Sequence, residues 1–303
     1  MPRSIAALAP LVVAGILVLP GCFGGGGGSA DLAFVSTRDG DYAIYVMNAN
    51  GGHQRRLTPS DVSNPASPQE LFFQIEPAWS PDGSEIAFAS RRSGSYDIYV
   101  MNADGTGTRE LTSGKQNDNH PTWSPDGGRI AFERDGDIYV MNAEGSAPHR
   151  ISDIAAEETD PAWSPDGKWL AYVHRTPGGP IREVWVMRPD GSDRHQLTHQ
   201  NAEPVGPAWS PNSLRIVFSN NPGQKPYELF TIGVDGKALR SVVPTVSDDF
   251  EPSWSPDGSE IAYQEGGAIF TIELGGGDVQ RLTEQKNNDS YPAWNPQPST
   301  EDK

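Results

Sequence analysis

Apolar residues in this chain come in short runs, each closed by a polar turn. Ile86-Ala87-Phe88, Ile130-Ala131-Phe132 and Ile261-Ala262-Tyr263 are copies of one run. Ile98-Tyr99-Val100-Met101, Ile138-Tyr139-Val140-Met141 and Val184-Trp185-Val186-Met187 are copies of a second. Runs of this length, apolar on both faces, predict strands buried on both sides. Each pair of runs follows a Trp block, as in Pro77-Ala78-Trp79-Ser80-Pro81-Asp82-Gly83 and Pro121-Thr122-Trp123-Ser124-Pro125-Asp126-Gly127. Further copies centre on Trp163, Trp209, Trp254 and Trp294, and the spacings are 44, 40, 46, 45 and 40 residues. That is the period of a four-stranded propeller blade.

Within a repeat the Trp block predicts the first strand and Ser-Pro-Asp-Gly a tight turn, with Pro presetting φ and Gly relieving the last position. The two apolar runs follow as the second and third strands. Asp104-Gly105, Asp190-Gly191 and Asp235-Gly236 then predict hairpins to a fourth strand ending in Leu-Thr, as at Leu111-Thr112 and Leu197-Thr198. The first strand is an edge, so its Pro costs no ladder bond. The fourth is the other edge and carries Arg or His (Arg55, Arg56, Arg109, Arg150, His195, Arg281), which discourages pairing with other chains. The pattern opens at Leu32-Ala33-Phe34-Val35 without a Trp block and ends on one at Pro292–Pro296. The two pieces make one blade. The expected fold is an all-β, six-bladed β-propeller of four-stranded blades, its ring closed by pairing the N- and C-terminal segments.

Asp and Glu number 40 against 23 Lys and Arg, a net charge of -17, which opposes binding to nucleic acid or an anionic membrane surface. The single cysteine, Cys22, excludes an internal disulfide framework and Cys-based metal sites. Arg3 is followed by an apolar stretch, Ile5 to Leu19, of signal-peptide length. It runs into Leu19-Pro20-Gly21-Cys22, which resembles a bacterial lipobox, with Pro20 a departure from it. The expected division is a lipoprotein signal peptide at 1–21, a lipidated Cys22 with a glycine tether at 22–30, the propeller at 31–297 and a polar tail at 298–303. Membrane attachment is expected only through the lipid, and location in the bacterial cell envelope outside the cytoplasm.

The full pattern, Pro-x-Trp-Ser-Pro-Asp-Gly, Ile-Ala-Phe, Ile-Tyr-Val-Met-Asn, Asp-Gly and Leu-Thr, resembles the TolB-type, WD-like propeller repeat from residue 32 to about 296. The resemblance implies an envelope protein without catalysis that binds partner proteins through its propeller. In the family an N-terminal α/β domain precedes the propeller. Here the glycine tether stands in its place and the chain is itself read as a lipoprotein, so fold, setting and a binding role are what transfer.

Turns of uniform length mark one face of the predicted ring, and variable connections mark the other as the binding face. Two columns of the repeat are expected to meet there. Three residues before the block's first Pro stand Gln74, Asp118, Glu158, Pro204, Asp249 and Asp289; immediately before it stand Glu76, His120, Asp160, Gly206, Glu251 and Tyr291. Three readings remain open: local pairing of the acids with recurrent arginines (Arg38, Arg91, Arg92, Arg134, Arg175), docking of a basic peptide or an envelope protein on a monomer, and a Ca2+ site at Asp118, Glu158, Asp249 and Asp289. Blade five departs from the rest through Pro204 and Asn212, and the loop from Pro59 to Ile75 carries the aromatic pair Phe72-Phe73. No Gly-x-Ser-x-Gly, phosphate loop or His-Glu-x-x-His is present in the sequence. The alternative to a protein-binding scaffold is a carbohydrate-binding or polysaccharide-lyase-like propeller working through His120, the one histidine expected at the mouth.

Overall fold

The computed structural model describes residues 31–59, 73–152, 156–200, 202–223, 226–242, 248–275 and 277–297. The segments read as signal peptide, tether and polar tail, with Cys22 and Phe72, lie outside the described residues. The described chain forms six four-stranded antiparallel sheets. The one helical element among the described residues is a 3-10 turn, Gln285–Asn287. Blade 1 joins the two ends of the pattern: Ser290–Trp294 pairs with Leu32–Ser36, followed by Ala43–Met47 and Arg55–Arg56. Blades 2 to 6 each run in chain order, their first strands being Gln74–Trp79, Asp118–Trp123, Glu157–Trp163, Val205–Trp209 and Asp249–Trp254.

Side-chain size along the second strand explains how blades stack. In Glu85–Ser90, Ile86 and Phe88 pack on blade 1 against Ala33, Ile44 and Val46. Ala87 and Ala89 face the other way and receive Trp123, Ile130 and Phe132 of blade 3. Successive strand residues point to opposite faces, so a large-small alternation makes each blade a knob on one side and a socket on the other. Burying a side chain such as Phe88 contributes about 1.5–3 kcal/mol.

The Trp of each block closes the first strand between neighbouring blades. Trp79 Nε1 donates to Ala293 O at 3.1 Å, Trp123 Nε1 to Ala78 O at 3.2 Å and Trp209 Nε1 to Ala162 O at 3.0 Å, each on the preceding blade. The Leu-Thr signature also has a structural cause. The fourth strands stop after two or three residues, earlier than the sequence pattern suggests. Beyond them the Thr hydroxyl takes over the ladder. Thr58, Thr112, Thr198 and Thr283 Oγ1 accept from the third-strand amides of Ile44, Ile98, Val184 and Ile269 at 2.9–3.0 Å.

Every first strand is bulged at its Pro. The register with the second strand shifts between Ile75 and Ala78, Asn119 and Thr122, Thr159 and Ala162, Val205 and Ala208, and Phe250 and Ser253, with an equivalent shift opposite Ala33–Val35 in blade 1. Proline cannot donate to the ladder, and a bulge is where its absence costs least.

Candidate functional site

The bulge decides where the two candidate columns go. The residue before each Pro has a positive φ: Glu76 58°, His120 50°, Asp160 52°, Gly206 59°, Glu251 58° and Tyr291 52°. Non-glycine residues rarely occupy this left-handed region, and doing so costs each of them about 1–2 kcal/mol. Five residues other than glycine hold it in register around the ring. All six line one cavity of about 770 Å³ on the axis.

The three-before-Pro column does not join them. In a regular strand positions i and i+2 share a face, but the left-handed residue breaks that alternation, so the two columns part. Asp118, Glu158, Asp249 and Asp289 are buried in four separate blades, at 1% exposure or less, and none lines the cavity. Arg134, the cross-strand neighbour of Asp118, grips it with Nε and Nη2 at 2.7 and 2.6 Å. His174, the cross-strand neighbour of Glu158, contacts it at 3.2 Å, and Arg194 joins at 2.9 Å. Arg38 reaches Asp289 at 3.0 Å. The expectation that these carboxylates meet at the mouth, as a shared Ca2+ site requires, is therefore corrected: local pairing accounts for three of the four. Arg175 of the expected pairing set instead binds Glu157 at the surface.

The ring that does converge alternates in chemistry. Carboxylates stand on blades 2, 4 and 6 (Glu76, Asp160, Glu251), and His120, Gly206 and Tyr291 on blades 3, 5 and 1. Each acid accepts the backbone amide of the next blade's ring residue: His120 N to Glu76 Oε2 at 2.6 Å, Gly206 N to Asp160 Oδ2 at 3.2 Å, and Tyr291 N to Glu251 Oε2 at 2.8 Å. The ring is a pseudo-threefold set of blade pairs, each clamped by a carboxyl–amide hydrogen bond.

Burial governs its electrostatics. Desolvation pushes the Glu251 carboxyl up to about 8, against the Tyr291 amide that favours its charged form. Burial raises the Glu76 carboxyl too, partly offset by His120. Desolvation acts against the charged form of His120, but Glu76, Asp160 and Glu133 together outweigh it and hold the imidazole well above its ordinary value. Burial and then Glu251 raise the Tyr291 hydroxyl.

Glu133 is the site residue that the repeat columns miss. It lies on the second strand of blade 3, Arg129–Arg134, and lines the cavity with its Oε2 3.2 Å from His120 Nδ1. Its equivalents are Val35, Ala89, Val173, Ser219 and Gln264, so the one carboxylate in a column of uncharged residues was the signal available. Phe250, Val205, Glu157 and Arg182 complete the outer wall. Phe73, the described half of the aromatic pair, stacks on Tyr42 at 4.8 Å between ring centroids and does not line the cavity.

Comparison with known proteins agrees with the six-bladed fold. The chain is 35% identical over 69 residues to the Tol-Pal system protein TolB of Desulfosudis oleivorans, a match covering 23% of this chain and 14% of that protein. The crystal structure of TolB from Acinetobacter baumannii superposes with a TM-score of 0.73 at 22% identity, over 89% of this chain and 67% of that one. An oligogalacturonate lyase in complex with manganese superposes with a TM-score of 0.54 at 16% identity, over 84% of this chain and 74% of that one. At these identities both structural likenesses are likenesses of fold. A family model described as the TolB beta propeller domain matches residues 70–248, and the chain belongs to that family.

Proposed function

We propose that this chain is a non-catalytic propeller of the bacterial cell envelope that docks a partner protein through a basic segment at the channel mouth. It is held outside the cytoplasm by the lipid on Cys22. The observation that supports the reading most directly is the alternating ring, whose three carboxylates from three blades face one open cavity. Around them Glu133 and Glu157 add negative charge, while Val205, Phe250 and Tyr291 offer apolar and aromatic surface. A wall of this kind suits a segment carrying Lys or Arg beside an apolar side chain. The net charge of -17 extends the same field outward and favours capture of a basic partner. A polyuronate is itself an anion, and the acidic lining of the entrance opposes it. That argues against the lyase reading.

The test compares the full chain with a Glu76→Gln/Asp160→Asn/Glu251→Gln variant whose circular dichroism and melting temperature show it folded. Both are used to capture proteins from envelope extract, with cross-links mapped by mass spectrometry. A partner cross-linked at the mouth, released by salt and lost with the variant, is the expected result. Equal capture by both proteins, or cross-links on the turn face, overturns the docking site.

A further inference from the structure

His120 stands among three carboxylates drawn from three blades. Its Nε2 lies 3.2 Å from Glu76 Oε1 and 3.4 Å from Asp160 Oδ1, and its Nδ1 lies 3.2 Å from Glu133 Oε2. Ligand atoms of His120, Glu133 and Asp160 all fall within 4.8 Å of one another.

Three features of this cluster go beyond a set of acids that happen to be close. The first is spacing. A tetrahedral ion with bonds of about 2.0–2.1 Å sets its ligand atoms about 3.3 Å apart, and the two contacts at Nε2 are edges of that size. The second is orientation. Glu76 and Asp160 each commit one oxygen to a backbone amide of the next blade, His120 N and Gly206 N, leaving the other turned to the imidazole. Glu133 lies beside Nδ1, where a carboxylate can fix the tautomer and ring plane of a metal-bound imidazole. The third is charge: three acidic side chains from three blades converge on one point, and a dication there offsets them.

We propose that the channel mouth binds one first-row transition dication, with Zn2+ preferred over Mn2+, through His120 Nε2, Glu76 and Asp160, with Glu133 as the positioning residue. The imidazole decides the class of ion. Ca2+ takes six to eight oxygen ligands, whereas one imidazole with carboxylates suits Zn2+, Co2+ and Mn2+. The ring side chains occupy one side of the ion, and its remaining position opens to the cavity, where water or a partner's side chain completes the coordination.

The test uses the purified, untagged full chain, freed of metal by chelation. Zn2+, Co2+, Mn2+ and Ca2+ are each titrated by calorimetry, and Co2+ is followed by its visible absorption. The expected result is one Zn2+ per chain bound at least tenfold tighter than Ca2+, and tetrahedral Co2+ bands that Zn2+ abolishes. His120→Ala is expected to lose Zn2+ affinity about 100-fold, and Glu133→Gln to weaken it about 10-fold, as loss of an orienting carboxylate does. Melting curves show whether each variant is folded. Should His120→Ala unfold, His120→Gln is used in its place. Undiminished Zn2+ binding in a folded His120 variant overturns the proposal, as does a site that prefers Ca2+.

Discussion

Asp118 and His120 are two residues apart on one strand, yet the propeller uses them in opposite ways. Asp118 is sealed in its blade by Arg134 and faces no cavity. His120, turned by a φ of 50°, projects to the axis among carboxylates of other blades. The same division recurs in Glu158 against Asp160 and Asp289 against Tyr291. One column holds blades together internally, and the other brings six blades' chemistry to one point. Proximity along a repeat therefore does not imply a shared role when a left-handed residue lies between.

The largest test of that division is Asp118→Ala. Removing one partner of a buried ion pair leaves Arg134 uncompensated, and the expected cost is about 3 kcal/mol in urea unfolding, with binding at the mouth unchanged. A cost within 0.5 kcal/mol, the range of about an ordinary surface substitution, breaks the claim that this column is structural.

A smaller effect is expected from the ring, and it depends on pH. The Glu251 carboxyl sits at about 8 in the fold, above its ordinary 4.5. Its contribution to stability is therefore complete below about 4.5 and is lost as pH rises through 8. The raised imidazole of His120 has the same sign, with stability present below about 6.5 and lost as pH rises through its folded value. The melting temperature is expected to fall from pH 6 to pH 9. Glu251→Gln should flatten the upper part of that fall and melt above the parent at pH 9. Coincident pH profiles for variant and parent mean that Glu251 ionises as a surface carboxylate does.

The smallest effect separates neighbouring copies of the Trp block. Trp123 Nε1 donates to Ala78 O, whereas Trp163 Nε1 is buried without a hydrogen-bond partner. Trp123→Phe should destabilise by about 1 kcal/mol more than Trp163→Phe, measured by chemical unfolding. Equal losses mean that the inter-blade indole bond contributes nothing net.

The frame was legible in the sequence because each of its devices is local. Ser-Pro-Asp-Gly writes its own turn: Ser80 Oγ accepts from Glu85 N at 2.9 Å and Asp82 Oδ1 from Ser84 N at 3.1 Å. Strand count and ring closure follow from counting such turns. The ring column was legible as a set of positions, but its geometry was not. Glu and Tyr have no preference for left-handed backbone, and only the bulge opposite the second strand imposes it on Glu76 and Tyr291. The burial of Asp118 depended on cross-strand register with Arg134, which the first strand alone does not carry. Glu133 went unnoticed because it reaches His120 from another strand.

The seam in blade 1 has a consequence for how freely this ring could be re-cut. Asn295 N donates to Asp31 O at 2.8 Å, so the two ends of the described propeller touch. A short peptide between residues 297 and 31 would make the backbone a continuous loop. The cut could then be moved to any exposed connection between blades, as circular permutation requires. Where translation begins is then a matter of gene order and not of architecture. Each of the six blades is a possible seam, and the present one leaves the mouth clear: the Asn295–Asp31 bond is the counterpart of Ser80 N to Glu85 O in a Ser-Pro-Asp-Gly turn, so both ends lie on the turn face.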